Sequence, residues 1–288
     1  MSDDGEQSLT IIAFIGSVFS PYYARARRHA APDGADPLNH CALNVAMYGR
    51  AGARWTMTER GRAHVARDAG SLQIGPSALR WNGDDLRIEI DEITTPWPSR
   101  LQGHVTVHLE QRFDRAYALA PQHRWIPIAP AARIDVDLGG RRWSGNGYLD
   151  SNQGDCPLEQ TFIHWDWSRA LMSGGRSAVF YDVDRCDAAP LHLGLRFDPD
   201  GSVEAVDPPP PAALPATAWR IPRHARGDAI DSVKVLSTLT DAPFYARSLL
   251  DARWLGEPVK AMHESLSLTR FDTAWVQAML PFRMPRRS

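Results

Sequence analysis

Alternation of apolar and polar residues with a period of two is the pattern that most constrains the fold of this chain. Residues 86–93 (LRIEIDEI), 105–110 (VTVHLE) and 133–138 (RIDVDL) all show it. Successive side chains of a strand point to opposite faces, so each segment is predicted to be a strand with one buried face. Residues 82–85 (NGDD) predict a hairpin turn, and glycines 139–140 end the third strand.

The second half of the chain continues this pattern. Further strands are predicted at residues 177–183, 191–197, 202–206, 231–240 and 263–271. Helical patterns are few and are confined to residues 21–31 and 272–280. Many short strands with Gly, Pro, Asn and Asp between them favour a sandwich or a barrel, so we expect a mainly β fold with few short helices.

The middle of the chain is predicted to hold a domain boundary. Residues 139–154 are rich in Gly, Asn, Asp and Ser, which places one domain at 1–145 and a second at 146–288. The basic C-terminal residues 283–288 are expected to be frayed.

Charge, cysteines and motifs exclude several classes of protein. The formal net charge of −2 gives no electrostatic basis for binding nucleic acid. Cys41, Cys156 and Cys186 are too few for a disulfide framework, and their spacing fits no zinc signature. The sequence contains no Walker loop, G-x-G-x-x-G, H-E-x-x-H or G-x-S-x-G motif, so we expect no metal and no organic cofactor.

The chain is expected to lie in the cytoplasm. Its start (MSDDGEQSLTIIAFIGSVF) opens acidic, and the short apolar run follows no positive region, so a secretory signal is not expected. No stretch approaches the roughly 20 apolar residues of a spanning helix. Contact with a membrane is expected to be peripheral at most.

Residues 146–167 (NGYLDSNQGDCPLEQTFIHWDW) are the densest polar and aromatic segment. Within it Tyr148, Asp150 and Asn152 alternate, so in a strand they share one face. Ten Trp residues are many for a chain of 288, and an indole is the best side chain for facing a cation.

The end of this segment combines acid, imidazole and indole groups. In a strand His164 and Asp166 share one face, while Trp165 and Trp167 share the other. An acid flanked by indoles can stay protonated near neutral pH, because desolvation disfavours the anion. The alternative is that both Trp side chains belong to the core and Asp166 is a solvated strand residue.

Three other polar groups are weaker candidates. Tyr181 and Asp182 place a carboxylate beside a phenol, and the alternative is that they are turn and strand-end residues. His40 and the pair His263-Glu264 are isolated polar positions, which are more often structural than catalytic.

The sequence resembles the carotenoid 1,2-hydratases, also called hydroxyneurosporene synthases, over nearly its whole length. Each matching segment is short, but their order and joint presence are specific. The segments are residues 14–23 (FIGSVFSPYY), 39–45 (NHCALNV), 54–61 (RWTMTERG), 147–154 (GYLDSNQG), 164–170 (HWDWSRA), 181–182 (YD) and 263–266 (HESL).

This resemblance implies two tandem lipocalin-like β-barrel or sandwich domains with a ligand cavity. It implies that the chain adds water to the terminal C1=C2 double bond of acyclic carotenoids such as neurosporene or lycopene, without a cofactor, in the carotenoid biosynthesis of phototrophic bacteria. The fold transfers more safely than the reaction, because related proteins share a fold without sharing a function.

Such a hydration begins with protonation of carbon, for which a neutral carboxylic acid in a dry pocket is the natural donor. The candidate donors are Asp150, Asp166 and Asp182, which the sequence does not rank. His164, a second carboxylate or Tyr181 would accept the proton of the attacking water. We favour the strip around Asp150, His164 and Asp166, because acid, base and indoles lie together in it.

The remaining candidates are predicted to bind substrate. Trp165 and Trp167 would line the site of the cation, since an aromatic face within about 6 Å stabilises a cation. Tyr148, Asn152 and His40 are further candidate contacts to the carotenoid.

Two other functions compete with this one. A lipocalin-like carrier would use the same Trp-rich interior to hold a polyene but would need no protonatable carboxylate. A terpenoid cyclase or isomerase would keep the protonation and exclude water. A carbohydrate-active protein is a poorer interpretation.

Because an acyclic carotenoid partitions into lipid, we also expect docking on the inner membrane through residues 11–23 or 279–287. The alternative for these segments is a core strand and a frayed tail. The oligomeric state is left open.

Overall fold

The computed structural model describes residues 1–29, 34–50 and 52–287. The strands in the described residues are β1 (Gln7–Phe14), β2 (Cys41–Gly49), β3 (Arg54–Arg60), β4 (Val65–Arg67), β5 (Ser71–Ile74), β6 (Ser77–Asn82), β7 (Asp85–Ile93), β8 (Arg100–His108), β9 (Tyr117–Ala120), β10 (His123–Leu138), β11 (Arg141–Gly154), β12 (Phe162–Leu171), β13 (Ser177–Arg185), β14 (Leu191–Phe197), β15 (Val203–Ala205), β16 (Pro211–Ala213), β17 (His224–Arg226), β18 (Val233–Asp241), β19 (Tyr245–Trp254), β20 (Glu257–Ser267) and β21 (Arg286–Arg287).

Helices are short. The α-helices are α1 (Pro21–His29), α2 (Leu268–Phe271) and α3 (Ala274–Arg283), and single 3₁₀ turns occur at Pro37–Asn39, Arg62–His64, Leu158–Gln160, Ser173–Gly175 and Ile230–Ser232. Strands make up 56% of the chain and helices 13%, which confirms the mainly β fold with few short helices. In the described residues the sheets are open and sandwich-like.

The chain divides into two compact units, and the division falls within the long strands β10 and β11. The first unit comprises residues 1–110, 132–147 and 277–288. It holds a sheet of order β1-β2-β3-β21 and a sheet of order β11-β10-β8-β7-β6-β5-β4. The sequence-based boundary between residues 145 and 146 stays a prediction.

The second unit comprises residues 111–131 and 148–276. Its main sheet has the order β15-β14-β13-β12-β20-β19-β18, with a separate ribbon of β16 and β17. Phe180, Leu250 and Trp254 of the sheet pack in one buried cluster with Leu214 and Ala225, which flank or belong to the ribbon. The ribbon therefore covers one face of this sheet.

Several predicted elements differ from the structure at their ends. Residues 268–271 were expected to continue a strand but form α2, because Leu268 and Phe271, three positions apart, are both buried. Of the helix predicted at 21–31, residues 30 and 31 lie outside the described residues.

The predicted fraying of the C-terminus is wrong. Arg286 and Arg287 form β21, which pairs in parallel with Glu59 and Arg60 of β3. The Arg286 guanidinium also forms an ion pair with the Glu59 carboxylate, so this end of the chain is held by both backbone and side chain.

Candidate active site

Strand β12 lies in the middle of the second unit's sheet and belongs to both candidate clusters. Its Trp167 lies opposite Tyr181 of β13 and opposite Glu264 of β20, whereas its Asp166 lies opposite Asp182 of β13. Adjacent residues of a strand point to opposite faces. Trp167 and its neighbours Tyr181 and Glu264 therefore lie on one face of the sheet, and Asp166 and Asp182 lie on the other. We call the face with Trp167 the aromatic face and the face with Asp166 the histidine face.

Strand β11 brings Tyr148 and Asp150 to the aromatic face. The Tyr148 ring lies 5.1 Å from the Trp167 ring, and Asp150 follows two residues later in the same strand. Trp125 Nε1 donates a hydrogen bond to Asp150 Oδ2 at 2.8 Å, and the Tyr148 hydroxyl donates to the same oxygen at 3.0 Å. In the described part of the chain both bonds end on Oδ2, which leaves Oδ1 to hold a proton.

Aromatic rings surround this carboxyl group. The Trp125 ring lies 5.7 Å from the Tyr181 ring, and the Trp165 ring lies 6.1 Å from the same Tyr181 ring. Trp125, Tyr181 and Trp167 are buried, while Trp165 and Asp150 are half-buried. The carboxyl group thus lies in surroundings of low polarity without being sealed off.

These surroundings make Asp150 a weak acid. Burial raises the pKa of Asp150 to about 6, against the hydrogen bonds from Trp125 and Tyr148, which favour the anion. The negative charge of Glu264 adds to the rise of this pKa. A carboxyl group with a pKa of about 6 is protonated to roughly a tenth at pH 7 and can act as a general acid there.

The two tyrosines of the aromatic face are neutral phenols. Burial, reinforced by the negative charge of Asp150, raises the pKa of both Tyr148 and Tyr181 well above its usual value. Tyr181 is therefore a neutral phenol at neutral pH, and its predicted role as the base stays a prediction.

Glu264 of β20 lies on the same face. Its Oε1 accepts hydrogen bonds from Arg247 Nε at 2.8 Å and from Arg247 Nη2 at 2.7 Å. The Arg247 side chain is buried, whereas the Glu264 side chain is 25% exposed. The aromatic face thus carries two carboxyl groups, Asp150 beside neutral donors and Glu264 paired with an arginine.

Arg169 of β12 borders the same face. Its guanidinium carbon lies 6.0 Å from the centre of the Tyr148 ring, and its Nε donates to the Pro130 carbonyl at 2.9 Å. Burial lowers the pKa of Arg169 to about 10, so the group is still charged at neutral pH. It helps to hold the Tyr148 ring against Trp167.

The histidine face has the opposite electrostatic character. Asp166, only 2% exposed, lies 2.9 Å from His164 Nε2, 3.0 Å from His224 Nδ1 and 3.4 Å from His263 Nε2, and it accepts a hydrogen bond from the Ser265 hydroxyl. Burial alone would raise the pKa of Asp166, but the hydrogen bonds and charges of His164 and His263 outweigh it and lower this pKa. Asp166 is therefore a buried anion.

Asp182 and His164 belong to this network. The Asp182 carboxylate forms a bidentate pair with the buried Arg226 and lies 2.7 Å from His192 Nδ1. Burial would lower the pKa of His164, but the hydrogen bond to Asp166 and the charges of Asp166 and Asp184 give a net rise. On the histidine face the carboxyl groups therefore contact His and Arg side chains directly.

The two other predicted substrate contacts differ in position. Asn152 follows Asp150 by two residues in β11 and is exposed near the end of that strand. His40 belongs to the first unit, where it is buried with Nδ1 2.9 Å from Glu59 Oε1 and its ring 4.8 Å from the Tyr23 ring. Contact of either residue with a carotenoid stays a prediction.

Sequence reasoning did not single out two residues of the aromatic face, Trp125 of β10 and Arg247 of β19. It named Glu264 of β20 only as part of the isolated pair His263-Glu264. The alternation in β10, where Trp125 is buried between exposed Arg124 and half-buried Ile126, was the available signal for the first. Among the described residues, no group of three or more His, Cys, Asp or Glu side chains is arranged to hold a metal ion.

Comparison with known proteins gives close relatives. The profile of the family described as "Carotenoid hydratase CrtC" matches residues 11–288. The acyclic carotenoid 1,2-hydratase of Thiocapsa roseopersicina is 53% identical over 99% of this chain and 71% of its own length. The enzyme of the same name from Rubrivivax gelatinosus is 49% identical over 100% of this chain and 72% of its own. The acyclic carotenoid 1,2-hydratase of Cereibacter sphaeroides is 40% identical over 96% of this chain and 98% of its own length.

A solved structure resembles the fold. It is a protein described as AttH from Nitrosomonas europaea, and it superposes with a TM-score of 0.60 over 92% of this chain and 88% of its own. Sequence identity is 14%, so the likeness concerns the fold alone. It agrees with the lipocalin-like architecture expected from the sequence.

Proposed function

The chain belongs to the carotenoid hydratase CrtC family, and from that premise we propose that it hydrates the terminal C1=C2 double bond of acyclic carotenoids with Asp150 as the proton donor. The observation that supports this choice is the Asp150 carboxyl group itself. It is half-buried among aromatic rings, has a pKa raised to about 6, and keeps Oδ1 without a partner in the described residues. Asp166 is instead engaged by His164, His224 and His263, and Asp182 by the Arg226 guanidinium.

The first step is protonation of carbon. The Asp150 O–H bond breaks, and the π electrons of the terminal double bond form a new C–H bond at C2. The positive charge then rests on C1, which bears two methyl groups and gives a tertiary cation. Asp150 becomes a carboxylate, stabilised by the hydrogen bonds from Trp125 and Tyr148.

The aromatic face stabilises the cation. Trp165, Trp167 and Tyr148 present π-systems whose faces attract positive charge, by up to roughly 2 kcal/mol for a desolvated pair. The Glu264 carboxylate adds a negative charge on the same face. Both groups favour the charged intermediate over the neutral alkene, as catalysis requires.

Capture by water completes the reaction. The water oxygen forms a bond to C1, and one of its protons passes to the Glu264 carboxylate, which pairs with Arg247. A weak base suffices, because a water bound to a carbocation is strongly acidic. The proton later returns to Asp150 through solvent. Alkene plus water gives alcohol with no change in the overall oxidation state, so the proposed chemistry calls for no redox cofactor.

Replacement of Asp150 by Asn tests the donor. We expect Asp150→Asn to lower turnover of lycopene by at least about 10³-fold, while the protein stays folded and still binds the carotenoid. The product is measured as a mass gain of one water, which also distinguishes a hydratase from a carrier. Asp155→Asn, an exposed acid just after β11, is the matched control and should keep full activity.

Two results would contradict this assignment. One is near-normal turnover by Asp150→Asn. The other is loss of turnover in folded Asp166→Asn or Asp182→Asn protein with Asp150 in place, which would move the donor to the histidine face.

The substrate implies where the enzyme works. A C40 hydrocarbon partitions into lipid, so we propose that the protein meets it at a membrane as a peripheral protein. Among the helices of the described residues, none has the length and apolar character to span a bilayer.

A further inference from the structure

We propose that the first unit binds to the surface of an anionic lipid bilayer through one defined patch. This patch, the docking surface, joins exposed apolar side chains to a basic rim. Its residues are Arg25, Arg28, Trp97, Met279, Phe282, Arg283 and Arg287. The inference deepens the proposed function, since a lipid-soluble substrate supplies the motive, but it is carried by the surface itself.

The apolar part consists of unusually exposed large side chains. Trp97 is 83% exposed and Phe282 is 81% exposed, although large aromatic residues are normally packed. Met279 and Phe282 are three residues apart in α3 and so lie on one face of the helix. The Thr95 hydroxyl donates to the Arg283 carbonyl at 3.4 Å, which ties the loop of Trp97 to the end of α3.

The basic part is formed by two segments without acidic residues. Helix α1 (PYYARARRH) contains three arginines and no acid, and residues 273–288 also contain three arginines and no acid. The whole chain, in contrast, has a net charge of −2. The Arg286 guanidinium lies 6.0 Å from the Tyr22 ring, so α1 and β21 are neighbours in the first unit and their charges act together.

The acids beside this rim are already paired. Glu92, which interacts with Arg287, is buried and bound to Arg60. Glu59 is fully buried and already paired with Arg286 and with His40. Arg25, Arg28 and Arg287 are exposed to solvent. Their charge is therefore available to an external anion.

An anionic bilayer fits this combination. Aromatic and arginine side chains are the groups that favour the boundary between lipid head groups and water, and each arginine near an anionic leaflet contributes to attraction. A second copy of the chain would bring the same basic rim against itself. The other predicted docking segment, residues 11–23, has no exposed residue and offers no comparable contact.

Flotation of the full chain with vesicles tests the proposal. We expect the protein to float with phosphatidylcholine vesicles that contain phosphatidylglycerol, and to float much less with phosphatidylcholine alone. Arg25→Gln/Arg28→Gln should weaken binding roughly 5-fold for each arginine. Phe282→Ser with Trp97→Ser should weaken it by at least about 10-fold. Arg67→Gln/Arg124→Gln and Ile230→Ser, at exposed positions outside the patch, are the matched controls.

The outcomes separate this proposal from the hydratase assignment. Flotation is measured without carotenoid, and all variants should hydrate detergent-solubilised lycopene normally. Wild-type protein that does not float with anionic vesicles overturns the docking surface, as do control variants that lose binding equally. If light scattering shows a dimer that Phe282→Ser dissociates without any effect on flotation, the patch is a contact between copies and the proposal is wrong.

Discussion

Replacing Tyr148 with Phe should raise the pH at which hydration falls to half its maximum by about one unit. The Tyr148 hydroxyl is one of two donors to Asp150 Oδ2, at 3.0 Å, and the other is Trp125 Nε1 at 2.8 Å. Hydrogen bonds to a charged group contribute about 1.5–3 kcal/mol, and the remaining donor compensates in part. A loss of about 1.4 kcal/mol from the anion corresponds to one pKa unit.

The assay is the pH dependence of kcat/KM with detergent-solubilised lycopene, because this parameter reports the pKa values of the free enzyme. For the wild type, Asp150 must be protonated to act, so the rate should fall as pH rises through about 6. In Tyr148→Phe the pKa of Asp150 rises further, and the falling limb should move to higher pH. The aromatic ring that packs against Trp167 is retained.

Tyr117→Phe is the matched control. It removes a phenol hydroxyl from a residue whose ring lies 5.8 Å from Trp125 but which donates no hydrogen bond to Asp150, so the midpoint should not move. A midpoint that is unchanged in Tyr148→Phe, or that moves to lower pH, would show that Asp150 is not the titrating donor or that Tyr148 does not stabilise its anion.

Two further predictions concern Glu264 and the histidine face. In D₂O, Glu264→Gln should lower hydration by at least about 10²-fold, while deuterium still enters recovered lycopene at C2. The reason is that Asp150 still protonates the alkene reversibly and only the capture of the cation by water is impaired. A parallel loss of deuterium exchange and hydration would show that Glu264 does not act in the water step. The pKa of His164 is raised in the folded state, so its pairing with Asp166 stabilises the fold fully below pH 6.5 and less as pH rises through the folded pKa. The wild-type Tm should therefore fall over that range more than the Tm of His164→Asn, and equal falls would contradict the pairing.

The sequence predicts strand faces well, because a period of two depends only on local geometry. It correctly separates His164 and Asp166 from Trp165 and Trp167. The expectation that the indoles surround Asp166 conflicts with that same geometry, since residues adjacent in a strand point away from each other. In the structure Trp165 and Trp167 lie on the same face as Tyr148 and Tyr181, and a third indole, that of Trp125, donates to Asp150.

One partner of Asp150, Trp125, could not be read from local patterns. It lies 25 residues before Asp150 in the chain, and Glu264 reaches Trp167 only through the register of β12 with β20. Register between strands depends on the packing of the whole sheet rather than on any short segment. For this reason the sequence named Asp150, Tyr148, Trp165 and Trp167 as candidates but did not name Trp125 and left three aspartates unranked.

The carboxyl groups of the second unit differ in their surroundings, although Asp150 lies in one sheet and Asp166 and Asp182 lie in another. Asp166 contacts His224 and Asp182 pairs with the Arg226 guanidinium, and these contacts hold the two ribbon residues against the sheet. Asp150 accepts hydrogen bonds from the neutral donors Trp125 and Tyr148, and burial keeps part of its population protonated. A proton donor to carbon needs the second kind of environment, because an acid already paired with a cation has given up the proton it would transfer. A cation introduced beside Asp150 should thus abolish hydration without removing the carboxyl group.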